Sequence, residues 1–347
     1  MAVASKLYTP APGPLNRWAP LPHAGALPPP MTQESLILLS TVPFTLAYLL
    51  ASVIPLYLEL YCVGAAAPAP LTFLTTFTSV AAFSACPYAA STQCPQADIV
   101  LRISCGTGIM KSLDIYFRRH VPPALKFPAG RAEYAWYLLT ELRYESFDIS
   151  TARPRRAGVC ATKEYLAHLG IFIFLQLLPQ TSVIKAFGVL FAIWLSWNAV
   201  HFVLKYRDSS PFFGPIYGAE NISVFWTETW HNAYTSPIRT LGYCPVRKFT
   251  GSPAAGVLAA FTIMAVFHVW AFAPYVSPQG LFRIGCFFVG NGVGCIVDFH
   301  LWGKKSTWTR TVVSWTYEIY LAQFTAAKCD IPDELLATDF GRLCRPS

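Results

Sequence analysis

The chain has 347 residues, 54% of them hydrophobic and only 13% charged, with a formal net charge of +8. Soluble domains carry roughly 25% charged residues, so this composition excludes an ordinary water-soluble fold and points to a polytopic membrane protein. The positive excess then reads as topology rather than as a nucleic-acid surface, because basic residues collect in cytoplasmic loops.

Taken in order, residues 1–33 hold eight prolines, no long apolar run and almost no charge. Such a stretch cannot bury enough to fold and lacks the apolar centre of a signal peptide, so a disordered Pro-rich tail is expected. One membrane-bound domain is expected over 34–325, then a short polar tail over 326–347. The first span covers about Ser35–Leu60 and is long enough to cross although Pro43 and Pro55 bend it. Leu71–Cys86, rich in Thr and Ala, reads as a weaker second span. Residues 98–163 set eleven Lys/Arg against six Asp/Glu and show no spanning segment. Within them Tyr134–Leu142 reads as an amphipathic or re-entrant helix, and Arg153-Pro154-Arg155-Arg156 as a basic cluster. Apolar character returns at Tyr165–Leu178, breaks at Pro179-Gln180 and resumes over Val183–Leu204. Ala254–Val276, Leu281–Phe299 and about Trp308–Phe324 follow. The expected fold is all-α: a polytopic integral membrane helix bundle of about seven transmembrane helices, with cytosolic amphipathic or re-entrant segments.

Charge in the connections sets the orientation. The basic stretches 98–163 and 205–252 are separated by two helices, and Lys304-Lys305 follows two helices later. All three therefore fall on one side, the cytosol. The ten cysteines form no C-x-x-C pair and no metal-ligand spacing, so reduced thiols and no metal are expected. A G-x-S-x-G elbow, a phosphate-binding loop and a dinucleotide fingerprint after a strand are all absent.

Between two apolar stretches lies Ser223-Val224-Phe225-Trp226-Thr227-Glu228-Thr229-Trp230-His231-Asn232-Ala233-Tyr234. Trp226 and Trp230 are four apart and would share one face of a helix. An interfacial amphipathic helix carrying reactive groups is one reading, and an aromatic membrane anchor is the other. The seven histidines, at 23, 120, 168, 201, 231, 268 and 300, are never closer than thirty residues. That spacing excludes the H-x-x-x-H boxes of di-iron membrane oxygenases. His268 stands alone in lying deep within an apolar span, about 20 Å from its cytosolic end at 1.5 Å per residue. An ionisable group at that depth is costly and marks function, unless it serves packing alone. His201 beside Asn198 reads as structural, and His300 with Asp298 as a pair that fixes a loop or touches substrate.

Phe225-Trp226-x-x-x-Trp230-His231, then Tyr243-Cys244-Pro245, then a histidine inside the next membrane helix, resembles the wax-synthase-like branch of the membrane-bound O-acyltransferases. Ser209-Ser210-Pro211-Phe212-Phe213-Gly214-Pro215-Ile216-Tyr217 is similar to the proline-containing lead-in of these enzymes. The likeness covers about 209–270. Val266-Phe267 and Val269 stand where relatives often place small or acidic residues. Gly106-Thr107-Gly108 continues as Ile109-Met110 where relatives often have Trp-Asn. The resemblance implies an acyl-CoA-dependent O-acyltransferase of the fungal natural-product type, acetylating a terpenoid or meroterpenoid hydroxyl from acetyl-CoA in the endoplasmic reticulum membrane.

The chemistry asks for a base for the hydroxyl proton, a donor for the developing oxyanion and exclusion of water. An imidazole in apolar surroundings is held neutral and can accept a proton, which suits His268 as general base. His231 or Asn232 would polarise the acyl carbonyl or orient the acceptor. Arg239, Arg247 and Lys248 are reasonable partners for the coenzyme A phosphates. Trp226, Trp230 and Asp298 are expected to line the substrate site. The partners implied are a small alcohol, acyl-CoA and the bilayer. Two other readings stand beside this one: a long-chain wax-ester synthase, and a transporter with His268 as proton relay. Transporters often show repeated halves, and none is legible here.

Overall fold

The computed structural model describes residues 33–91, 95–119, 130–140, 161–203, 213–230 and 234–326. Every regular element among them is helical. The long helices are α1 (Gln33–Gly64), α2 (Ala69–Ala89), α3 (Pro95–Arg118), α5 (Ala161–Leu177), α6 (Ser182–Val203), α10 (Pro253–Phe272), α11 (Pro278–Trp302) and α12 (Trp308–Ala326). Between them come α4 (Arg131–Thr140) and the short pieces α7 (Ile222–Val224), α8 (Thr235–Ile238) and α9 (Cys244–Thr250).

Local chemistry sets the boundaries. Ser252 and Ser277 accept hydrogen bonds from the Ala255 and Gly280 amides at 3.2 Å, each followed by a proline in the first turn. This pairing satisfies amides that a helix start leaves open and presets φ at N1. α9 ends at Gly251 with φ +71°, a left-handed cap for which glycine costs least.

Five of these helices are long and apolar enough to cross a bilayer: Thr45–Gly64 of α1, Ala69–Ala89, Ser182–Ala199 of α6, Pro253–Phe272 and Pro278–Trp302. Exposed apolar stripes at four-residue spacing, Leu46, Leu50, Ile54 and Leu58 on α1 and Val289, Val293, Val297 and Leu301 on α11, suit contact with lipid. The other two segments read as spans are also helical. α5 has 17 residues, a rise of about 25 Å, and α12 carries Arg310, Ser314 and Glu318.

Residues 98–163 hold no candidate span among the described residues, but α3 is a 24-residue helix that the hydropathy did not reveal. It runs antiparallel to α2 and α10 through the depth of the bundle. Near its start Ser91 donates to Asp98 at 2.6 Å, and Tyr275, beyond the end of α10, donates to the same carboxylate. Near its end Ser112 donates to Glu59 of α1, and Ser236 of α8 donates to Asp114 at 3.0 Å. The five charged side chains of α3 hid its character from a hydropathy reading, yet Asp98, Arg102, Lys111, Asp114 and Arg118 are all buried. Each meets a partner: Arg118 pairs with Asp114, Lys111 donates to the Leu139 carbonyl, and Arg102 sits over the Tyr88 and Trp270 rings. Burial and then the Asp98 carboxylate push the Tyr275 hydroxyl up to about 12, so it stays a donor.

Two glycines of α3 permit this placement. A Cβ at Gly106 would run into the Phe267 ring of α10, and one at Gly108 would come within 2.6 Å of Phe83 of α2. The core accordingly has three parts. One lies among α1–α4, one joins α5 and α6 to the segment 213–230, and one joins α3, α10 and α11 around Met110, Met264, Phe267 and Phe288. Residues 1–32 and 327–347, the two expected tails apart from Gln33 and Ala326, lie outside the described residues; Gln33 begins helix α1 and Ala326 ends helix α12.

Candidate active site

The segment before the site is held by α5 and α6. His168 is fully buried; its Nδ1 lies 2.8 Å from the Glu164 carbonyl, and its Nε2 accepts the Ile216 amide at 3.3 Å. A ring nitrogen facing a carbonyl must carry the proton, so this imidazole is neutral with Nε2 as acceptor. Its ring stacks on Trp194 at 3.7 Å and 1°, and the Trp194 indole donates to the Gly214 carbonyl at 3.1 Å. Gly214 in turn donates to Thr229 at 2.8 Å; a Cβ there would meet the Thr229 backbone at 3.1 Å. His168 is thus a brace for the loop, a role that no spacing in the sequence signalled.

The next turn departs from the expected amphipathic helix. Asn221 caps α7 by accepting from Val224 at 2.9 Å, and Phe225–Thr229 form a π-helical turn closed by Trp230 N–H to Phe225 O at 2.6 Å. A π turn is wider than an α turn, and Trp230 itself is extended at φ −91°, ψ 139°. Trp226 and Trp230 therefore do not share one helical face. Trp230 packs edge-on to Phe213 and parallel to Phe225, towards α5 and α6. Trp226 turns to Phe261, Phe287 and Phe288 of α10 and α11. The segment is packed into the bundle rather than laid on an interface.

His268 lies on α10 opposite Phe288, whose ring it stacks on at 4.1 Å and 28°. Its Nδ1 is 2.8 Å from the Met264 carbonyl, which fixes the proton there and leaves the Nε2 lone pair free in the neutral ring. Among the described residues, no carboxylate bonds to this imidazole. His231 and Asn232 lie outside the described residues, but both flanks are fixed. Trp230 is buried, and Tyr234 is buried with its ring 5.5 Å from Phe267 and its hydroxyl 2.7 Å from Thr107 of α3. Burial pushes the Tyr234 hydroxyl up to about 12, with the Thr107 contact opposing, so the Tyr234–Thr107 bond persists at neutral pH.

The other expected site residues are spread along the bundle. Arg239, Arg247 and Lys248 are exposed on a helical run that docks on α10 through Gly242 and Gly256; Cβ atoms there would meet Ile263 and Tyr243 at 2.8 Å. Arg247 donates to the Tyr243 hydroxyl at 3.2 Å. Asp298 is 3% exposed and held by Arg310, with Nε to Oδ1 at 2.8 Å and a second bond from the guanidinium. It stands ten residues, about 15 Å, along α11 from the Phe288 level, so it does not share the His268 site. His300 is exposed, and the His201 side chain lies outside the described residues. No group of three or more His, Cys, Asp or Glu able to hold a metal occurs among the described residues.

Residues 209–289 match the membrane bound O-acyl transferase family, a stretch that contains both the Phe225–Trp230 turn and His268. The chain is 24% identical over 107 residues to probable long-chain-alcohol O-fatty-acyltransferase 1 of Arabidopsis thaliana, covering 29% of this chain and 31% of that protein. It is 26% identical over 151 residues to probable long-chain-alcohol O-fatty-acyltransferase 7 of the same plant, covering 40% and 43%. The chain thus spans less than half the length of these relatives. No solved structure matches it. Over 209–289, then, this helical membrane protein is similar to the membrane bound O-acyl transferase family.

Proposed function

We propose that the chain is an acyl-CoA-dependent O-acyltransferase of a lipophilic alcohol, with His268 Nε2 as the general base. The observation that carries this reading is the imidazole itself: it lies in an apolar helix, its Nδ1–H is committed to Met264, and its second nitrogen is an acceptor. The family match over the same stretch supports the reaction class.

In the proposed step Nε2 takes the proton of the alcohol as its oxygen attacks the thioester carbonyl. The tetrahedral oxyanion then collapses, expelling the coenzyme A thiolate, which takes up the proton. His231 or Asn232 would stabilise the oxyanion. Arg247 and Lys248, exposed on α9 next to the start of α10, and Arg239, exposed further along the same helical run, would hold the coenzyme A phosphates from the cytosol. The alcohol would enter from the bilayer, and the endoplasmic reticulum is the membrane proposed.

Two donor–acceptor pairs fit. The motif resemblance favours acetyl transfer to a terpenoid or meroterpenoid hydroxyl. The names of the plant relatives favour a long-chain alcohol and a fatty acyl-CoA. Washed microsomes containing the chain should be given labelled acetyl-CoA or palmitoyl-CoA, each with a terpenoid alcohol or hexadecanol. Ester in the acetyl–terpenoid arm alone selects the first pair, and ester in the palmitoyl–hexadecanol arm selects the second. Proton-coupled uptake into sealed vesicles with no ester in any arm would mean a transporter.

A further inference from the structure

Trp226 lies between the helix that carries His268 and α12, and its single N–H is shared. Asn291 Oδ1 accepts it at 2.9 Å and Glu318 Oε1 at 3.1 Å. Asn291 is fully buried and donates its own amide to the Phe287 carbonyl at 3.0 Å, which aims Oδ1 at the indole. α11 and α12 are locked at this level, because Tyr317 donates to the Gly290 carbonyl at 2.6 Å and packs over Gly294. The indole stands edge-on to Phe261 and Phe287 and 6.0 Å from Phe288, the ring stacked on His268.

Asn291 alone would satisfy the indole N–H. A second acceptor on a neighbouring helix is a carboxyl group, costly to place among apolar side chains, where a leucine would pack as well. One acceptor fixes a distance and leaves the ring free to rock about that bond. Two acceptors on two helices also fix its tilt. We propose that Glu318 and Asn291 are positioning residues that set the plane of Trp226, and through Phe288 the plane of the His268 imidazole. The proposal rests on His268 being the base, since it concerns where Nε2 points. No charge is transferred along this path; the carboxyl acts by accepting a hydrogen bond.

The test compares Glu318→Gln, which keeps an acceptor oxygen, with Glu318→Leu, which removes it, in the wild-type and Trp226→Phe backgrounds. Turnover is measured in washed membranes per amount of inserted protein. Glu318→Leu should lower turnover roughly 10- to 100-fold, the size expected for a misplaced catalytic group, and leave the acyl-CoA KM nearly unchanged. Glu318→Gln should restore most of the turnover with an unshifted pH profile. In the Trp226→Phe background Glu318→Leu should add little, because the donor is already gone. A Gln variant as damaged as Leu, or one with a displaced pH profile, would mean that Glu318 acts by its charge, and the proposal fails. Equal turnover in wild type and Leu overturns it as well, leaving packing as the role.

A second reading needs no turnover. Acylation of His268 by diethyl pyrocarbonate, followed by peptide mass spectrometry, reports access to Nε2. The Leu variant should change that rate severalfold and the Gln variant should not; equal rates in all three overturn the proposal. An inserted wild type that forms no ester would defeat the acyltransferase reading instead, and the modification rates would still decide the positioning claim.

Discussion

At the scale of single residues, environment separates the histidines where sequence spacing could not. His168 has both ring nitrogens engaged and a tryptophan stacked on one face, and so reads as a brace. His268 has one nitrogen engaged and the other open, and so reads as an acceptor. Depth in an apolar helix was legible in the sequence and singled out His268; the hydrogen-bond partner of Nδ1 was not, because it depends on the rotamer. Asp298 shows the converse. Its neighbours in sequence suggested a pair with His300, but the partner that holds it is Arg310, one helix on. Asp298→Ala should leave that guanidinium buried without a counter-charge and with only the Lys305 carbonyl as acceptor, a cost of about 3 kcal/mol. A lowered Tm with an unchanged acceptor KM in the remaining folded enzyme is expected. A raised acceptor KM at unchanged Tm would return Asp298 to the substrate. For the pair outside the described residues, His231→Asn should retain more turnover than His231→Ala, since an amide can still polarise a carbonyl. Equal losses in the two would exclude that role.

At the scale of elements, α3 is the one that ties the site to the rest of the bundle. Thr107 reaches Tyr234, Gly106 lets Phe267 close over it, and Asp114 accepts from Ser236. Gly106→Ala should force the Phe267 ring to move. Overpacking of this kind costs roughly 1–3 kcal/mol. Because Phe267 touches both Tyr234 and His268, turnover should fall along with thermal stability. A fully active, fully stable Gly106→Ala would show that this approach is unimportant. Tyr234→Phe should cost about 1 kcal/mol, the usual worth of one hydrogen bond. The Tyr234 phenol is held protonated to about 12 when folded, against 10.0 for its ordinary value. Its share of stability is therefore constant below about pH 10 and is lost as pH rises from 10 towards 12. That loss should be missing in Tyr234→Phe melts.

At the scale of the whole molecule, the apolar spans and their order were legible from hydropathy alone, because lipid-facing stripes must be apolar whatever they pack against. The polar helix was not legible, because Asp114 and Arg118 pair within it while Asp98, Arg102 and Lys111 meet hydroxyl, aromatic and carbonyl groups from other elements. Including α3 changes the topology. The α1–α2 connection at 65–68 now lies at the same end as α8, α9 and Lys304-Lys305, and the connection at 273–277 lies at the other. Single cysteines at Ala69 and Lys305, in a background with all ten native cysteines replaced, should label together with an impermeant maleimide in sealed microsomes. A cysteine at Gln279 should label only after permeabilisation. Joint labelling of Ala69 and Gln279 positions would remove α3 from the bundle.

The most direct test of the whole account is turnover of labelled acyl-CoA by wild type and His268→Ala, in membranes where both are shown to be inserted at equal levels. The account predicts ester formation by the wild type and a loss of roughly 10²–10⁴-fold in the variant, the usual size of a general-base contribution, with acyl-CoA binding retained. Near-normal turnover by a well-inserted His268→Ala would contradict it.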